Sequence, residues 1–139
     1  MKRFAVRISI RATPERIWAL LTDAGGYPRW NRTVSKVEGT IAPGGRVTVH
    51  ATANPGRAFP LKVTGFEEPK RMVWTGGMPL GLFKGERTFQ LQAGANGEVE
   101  FSMCEEFSGL LSPLISKSIP DLQPAFDEFA RDLKRAAES

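Results

Sequence analysis

Two stretches of the chain, residues 86–93 and 99–107, alternate apolar and polar side chains with a period of two. Arg87, Phe89, Leu91 and Ala93 share one parity, with Thr88, Gln90 and Gln92 on the other. Returning, Val99, Phe101, Met103, Glu105 and Phe107 share a parity, opposed by Glu98, Glu100, Ser102 and Cys104. Alternation of this kind predicts strands with one dry face. Gly94-Ala95-Asn96-Gly97 supplies the turn, because Gly and Asn tolerate positive φ. Setting Ala93 opposite Val99 places Leu91 against Phe101, Phe89 against Met103 and Arg87 against Glu105. The two charges in the dry face therefore meet. A lone buried charge is too costly, so pairing or access to a cavity is expected.

The same reading extends along the chain. Phe4, Val6, Ile8 and Ile10 alternate with polar or small residues as a first strand. Thr13 is a good N-cap and Pro14 suits the first helical position, so a helix with Ile17, Leu20 and Leu21 in its stripe follows, stopping near 23–26. Tyr27-Pro28-Arg29-Trp30-Asn31 reads as a turn or a second short helix. Strands are then expected over 34–40 and 46–53, through Phe59, Leu61 and Val63, and over 72–75. Turns fall at 42–45, Asn54-Pro55-Gly56 and 68–70, and Gly65-Phe66 shifts the parity as a bulge would. Residues 76–85 read as a Gly-rich apolar loop, either a pocket lid or a segment packed on the core edge. Residues 108–139 read as helical, with Ile115, Ile119, Leu122, Phe126, Phe129, Leu133 and Ala136 in one stripe. Pro120 and Pro124 interrupt it, so a kink or break is expected over 119–124.

This order of elements indicates an α+β architecture, a strongly curved antiparallel sheet with a helix against it. The 139 residues suit one domain, 1-139. The net charge of +4 is mild and its basic residues are dispersed, which does not fit a nucleic-acid stripe. One cysteine excludes an intramolecular disulfide, and Cys104 points away from the dry face beside two acidic neighbours, a poor setting for a nucleophile. The N-terminus runs straight into a strand, and no apolar run approaches the roughly 20 residues of a membrane span. A cytoplasmic location is expected.

Several segments together resemble the START-like or Bet v 1-like superfamily, and within it the bacterial polyketide cyclase/dehydrase and lipid-transport branch, the SRPBCC group. They are Ile10-Arg11-Ala12-Thr13-Pro14-Glu15-Arg16-Ile17-Trp18 leading to Leu21-Thr22-Asp23, and Tyr27-Pro28-Arg29-Trp30-Asn31. Val37-Glu38-Gly39, Val73-Trp74-Thr75-Gly76, Glu105-Glu106-Phe107 with Gly109-Leu110-Leu111, and the final helix complete the likeness. The resemblance implies a helix-grip fold, with about seven strands wrapped around a long C-terminal helix, two short helices after strand 1, and a cavity between sheet and helix. Many similar sequences carry a histidine where this chain has Arg87. Arginine holds its proton too firmly for a general base and suits an anion anchor better.

The residues exclude most catalytic constellations. One histidine and one cysteine, far apart, cannot build the usual zinc sets, so no metal is expected. His50 falls on the polar face of its strand. No Gly-x-Ser-x-Gly, phosphate loop or dinucleotide fingerprint occurs. Arg87 and Glu105 are the best polar candidates, as a register-fixing salt bridge or as a polar anchor inside an apolar pocket. Glu105 is also the candidate base of a cyclase or dehydrase, although an adjacent guanidinium stabilises its carboxylate and weakens it in that role. Glu106 and Asp127 read as solvated. The expected lining is Trp30, Phe59, Trp74, Phe89, Phe101, Met103, Phe126 and Phe129 with the charged pair.

The leading expectation is a binder of a hydrophobic or amphipathic small molecule, lipid- or polyketide-like, with no cofactor, no nucleic acid and no membrane span. A polyketide cyclase/dehydrase-type enzyme using Glu105 and Arg87, and an interaction module of the chaperone-activator kind, are the alternatives. A homodimer stays open.

Overall fold

A computed structural model describes residues 2–52, 56 and 58–139. Seven antiparallel strands form one sheet in the order β1-β7-β6-β5-β4-β3-β2. They are β1 (Lys2–Ile10), β2 (Val34–Gly39), β3 (Arg46–Ala51), β4 (Ala58–Glu67), β5 (Arg71–Met78), β6 (Phe83–Ala93) and β7 (Val99–Ser108). Between β1 and β2 lie α1 (Pro14–Thr22), a 3₁₀ turn (Ala24–Gly26) and α2 (Tyr27–Trp30). After β7 come α3 (Ser112–Ile115), a 3₁₀ turn (Ser116–Ser118) and α4 (Gln123–Glu138). The sheet curls around α4 in the helix-grip arrangement.

The β6–β7 hairpin has the register its alternation predicts: Ala93 opposite Val99, Leu91 opposite Phe101, Phe89 opposite Met103 and Arg87 opposite Glu105. Asn96 takes the left-handed conformation in its turn, at φ 59°. Thr13 caps α1, its hydroxyl accepting from the Arg16 N–H at 3.2 Å, with Pro14 directly behind. Ile17, Trp18 and Leu21 form the buried face of α1, while Leu20 is only half-buried. The bulge falls in β4, where the register shifts between Thr64 and Glu67 and Gly65 sits at φ 53°. The expected turn at Asn54-Pro55-Gly56, except for Gly56, and the strand end at Ala53 lie outside the described residues.

Two expectations need correction. Residues 76–85 are mostly strand, for β5 continues to Met78 and β6 begins at Phe83, leaving a four-residue tip, 79–82. Glycines that read as loop instead face one another as Gly76 and Gly85 across the ladder. Leu80 stands in solvent at the tip, 91% exposed, so the tip packs on nothing at that position. The helical stripe over 108–139 is likewise divided: β7 runs to Ser108, and residues 119–122 are non-helical between the 3₁₀ turn and α4. Pro120 has no N–H to give a continuing helix, whereas Pro124 sits in the first turn of α4, where no donor is needed. Phe126, Phe129, Ala130, Leu133 and Ala137 form the buried face of α4, and Ala136 is half-buried.

Candidate functional site

A single cross-strand row runs Val63, Trp74, Arg87, Glu105, Phe4 on the face that meets α4. Arg87 Nε donates to Glu105 Oε1 at 2.7 Å. Phe126 of α4 lies over the guanidinium, with Cζ 4.8 Å from the ring centre, close enough for a cation–π contact. The two charged side chains keep 22% and 15% of their surface exposed, so water reaches both. The pair is thus neither an exposed surface bridge nor a sealed one.

On one side of this row the interior is solid. The next rows are Met72, Phe89, Met103, Val6 and then Leu91, Phe101, Ile8. Phe129 packs its ring on Phe101 at 6.2 Å and on Phe89 at 6.1 Å, and Phe89 meets Trp74 at 4.6 Å. Phe89 and Phe101 have no surface that a water molecule touches, inside or out, and Met103, Phe126 and Phe129 have almost none. On the other side the face is thinner. The row there is Gly76, Gly85, Phe107, Lys2, and its two glycines add no side chain. Leu61 and Phe107 lean over them, for a Cβ at Gly76 would come within 2.6 Å of Leu61 and one at Gly85 within 3.2 Å of Phe107. Lys2 Nζ donates to the Ile119 carbonyl at 2.8 Å, joining β1 to the segment before α4. Leu110 donates its N–H to Gly81 and Leu111 to Leu82, which holds the β7–α3 connection against the β5–β6 tip. Leu80, Leu110 and Leu114 stand exposed along that rim.

The ten predicted site residues therefore divide by place. Trp74, Arg87, Glu105 and Phe126 meet at the Arg87 row, where only the charged pair is partly exposed, and Phe89, Phe101, Met103 and Phe129 form the packed floor. Trp30 is half-buried in α2 against Tyr27 and Phe129. Phe59 lies two rungs along β4 from Val63, opposite Val49. Glu106 is exposed and paired with Arg3, while Asp127 is half-buried and accepts from Gln123 at 2.9 Å. His50 is half-buried, with Nε2 2.8 Å from Glu38 Oε1.

The chain matches the polyketide cyclase / dehydrase and lipid transport family over residues 1–138. It belongs to that family. Among curated protein sequences none matches significantly. Solved structures with the same fold include a START superfamily protein from Mycobacterium smegmatis, at 13% identity and TM-score 0.70, covering 98% of this chain and 97% of that one. A hypothetical protein from Helicobacter pylori gives TM-score 0.80 at 13% identity, covering 98% and 88%. The Aha1 dimer from Colwellia psychrerythraea gives TM-score 0.74 at 22% identity, covering 99% and 97%. At these identities the likeness is one of fold.

Within this family fold, sequence reasoning missed the polar groups that hold α2 and α4 to the rest. Tyr27 is buried, and its hydroxyl donates to the Leu21 carbonyl at 2.6 Å. Burial drives its ionisation well above the ordinary phenol range, offset only in part by the nearby Arg87 charge, with Asp23 adding to the rise. Asp132 is buried on α4 among Arg32 and Arg135. Its place three residues after Phe129, beside Leu133, was the available signal. Arg16 of α1 donates to the carbonyls of Ala136, Ala137 and Ser139, supplying a cation at the end of α4. Several buried donors have no acceptor: the indole N–H groups of Trp18, Trp30 and Trp74, and Nδ2 of Asn31. Among the described residues no cluster of three or more His, Cys, Asp or Glu is placed to hold a metal ion, and no helix is long and apolar enough to cross a membrane.

Proposed function

We propose that this protein binds an amphipathic small molecule at the open end of the sheet, between the Arg87 row and the 112–122 segment. The carrying observation is the Arg87–Glu105 pair, which faces α4 yet remains within reach of water. Partial hydration lowers the desolvation cost of the pair and leaves both charges reachable from solvent at the interior end of the sheet. The packed floor formed by Phe101 and Phe129 supports a shallow site beside Trp74, Arg87, Glu105 and Phe126 rather than one passing through the interior. Family membership supports the same reading, since its description includes lipid transport as well as cyclase chemistry. Apolar walls supply affinity through burial, and the charged pair supplies orientation.

Native mass spectrometry of the purified protein, followed by thermal unfolding against lipids, flavonoids and aromatic polyketides, tests this. A retained small molecule, or a rise in Tm with at least one class, is expected. No retained molecule and no shift with any class overturns the reading.

A second reading, an interaction module, is favoured by one observation. Leu80, Leu110 and Leu114 are 91%, 79% and 70% exposed on a common rim, which is apolar surface of the kind that contacts between chains cover. The likeness to an Aha1 dimer agrees with it. Sedimentation across a wide concentration range decides: self-association that L114D abolishes supports this reading, and a monomer throughout dismisses a homodimer.

A further inference from the structure

We infer that the ligand's polar end is a carboxylate, held end-on by the two Nη groups of Arg87. This rests on the proposed site above. The geometry of the guanidinium carries it. Of the five N–H donors of an arginine, Nε has a single one, and Glu105 Oε1 takes it at 2.7 Å. Phe126 covers one face of the plane at 4.8 Å. Among the described residues no other hydrogen-bond acceptor meets this group, so the four Nη hydrogens have no protein partner, and two of them, one from each Nη, point side by side from the end of the guanidinium. With Nε taken by Glu105, that end is where the spacing of two N–H groups matches the two oxygens of a carboxylate.

A second observation points the same way. Trp74 is the cross-strand neighbour of Arg87 and is 2% exposed, yet its indole N–H has no acceptor. A buried donor left without a partner is rare in proteins and costly. The Arg87 row thus holds donors in excess of acceptors: the Nη groups of Arg87 and the buried Trp74 N–H, against one carboxylate already engaged. An occupant must bring acceptors. Glu105 acts here as a positioning residue, fixing the guanidinium through Nε, while its own charge opposes the incoming anion.

The decisive experiment is calorimetric titration of the full chain with a straight-chain fatty acid series and with the matching methyl esters. The acid is expected to bind at least about tenfold tighter than its ester, the size of a charge-assisted pair set against a neutral contact. R87Q is expected to bind acid and ester alike. E105Q keeps an oxygen for Nε and removes the opposing charge, so it is expected to bind the acid several-fold tighter, on the order of tenfold. A bridge of purely structural value would weaken binding in both variants, so the opposite signs are diagnostic. Equal binding of acid and ester by the unaltered protein, or tighter acid binding that persists in R87Q, overturns the carboxylate but leaves the binding site standing. Absence of binding by both series, with no Tm shift from the wider panel, overturns both.

Discussion

Asp132 accepts a hydrogen bond from the backbone N–H of Arg32 at 2.9 Å, from the end of that residue's guanidinium at 3.1 Å, and from Arg135 at 3.1 Å. A carboxylate with no exposed side-chain surface thus fastens the α2–β2 connection to the middle of α4. Burial opposes its charge, but the hydrogen bonds and charges of Arg32, with help from Arg135, outweigh it and hold its ionisation below the ordinary range. D132N is therefore expected to lower stability by about 2 kcal/mol, the worth of hydrogen bonds to a charged group. The sign with pH follows from the depressed value. The contribution is complete above the unfolded carboxylate value of about 3.9 and disappears as pH falls through the lower folded one. Urea unfolding at pH 7 and pH 3 checks this, and an unchanged gap between wild type and D132N at both would refute it.

The chain has one tyrosine, so Tyr27 can be followed without interference. Its folded form keeps the phenol proton that the unfolded chain releases near pH 10. Stability is thus expected to fall as pH rises above about 10, and tyrosinate absorbance should emerge only with unfolding. An absorbance titration near pH 10 with the fold intact would contradict the burial. Y27F removes the donor to Leu21 and should cost about 1–2 kcal/mol.

Thr13 caps the start of α1, its hydroxyl accepting from the Arg16 N–H at 3.2 Å. T13A is expected to destabilise by about 1 kcal/mol, while T13S should stay near wild type. Chemical denaturation of the three proteins provides the comparison, and equal midpoints for all would remove the cap from the account.

Phe129 touches Tyr27, Trp30, Phe89 and Phe101, more aromatic partners than any neighbour on α4. F129A should cost about 3–5 kcal/mol, since four rings around the gap limit how far the site can collapse. A loss below about 1 kcal/mol would mean that the floor is not packed as described.

Much of this was legible from residue order, for reasons that differ by element. The β6–β7 register followed from parity, because a one-residue slip would turn every apolar side chain of the hairpin outward. Arg87 and Glu105 were found the same way, as the two charges that broke the apolar pattern. The segment over 76–85 was misread because glycine signals turns by conformation, whereas Gly76 and Gly85 serve here by having no bulk beneath Leu61 and Phe107. The division of the final helix was half visible: Pro120 announced a break, but its width depends on how Lys2 holds the Ile119 carbonyl from a strand 117 positions away. The Asp132–Arg32 and Arg16–Ala137 contacts were missed because they join residues 100 and 121 positions apart, and no local pattern encodes such contacts.

The ring of Phe129 lying flat on Phe101 sets a limit on depth for any guest of this sheet. On the proposed reading, a molecule seated at the guanidinium extends its tail outward past the leucine rim, because Leu61 and Phe107 already fill the space over Gly76 and Gly85. Selection among homologous ligands would then fall on head group and tail curvature. Added methylenes would stop increasing affinity once the chain emerges into water.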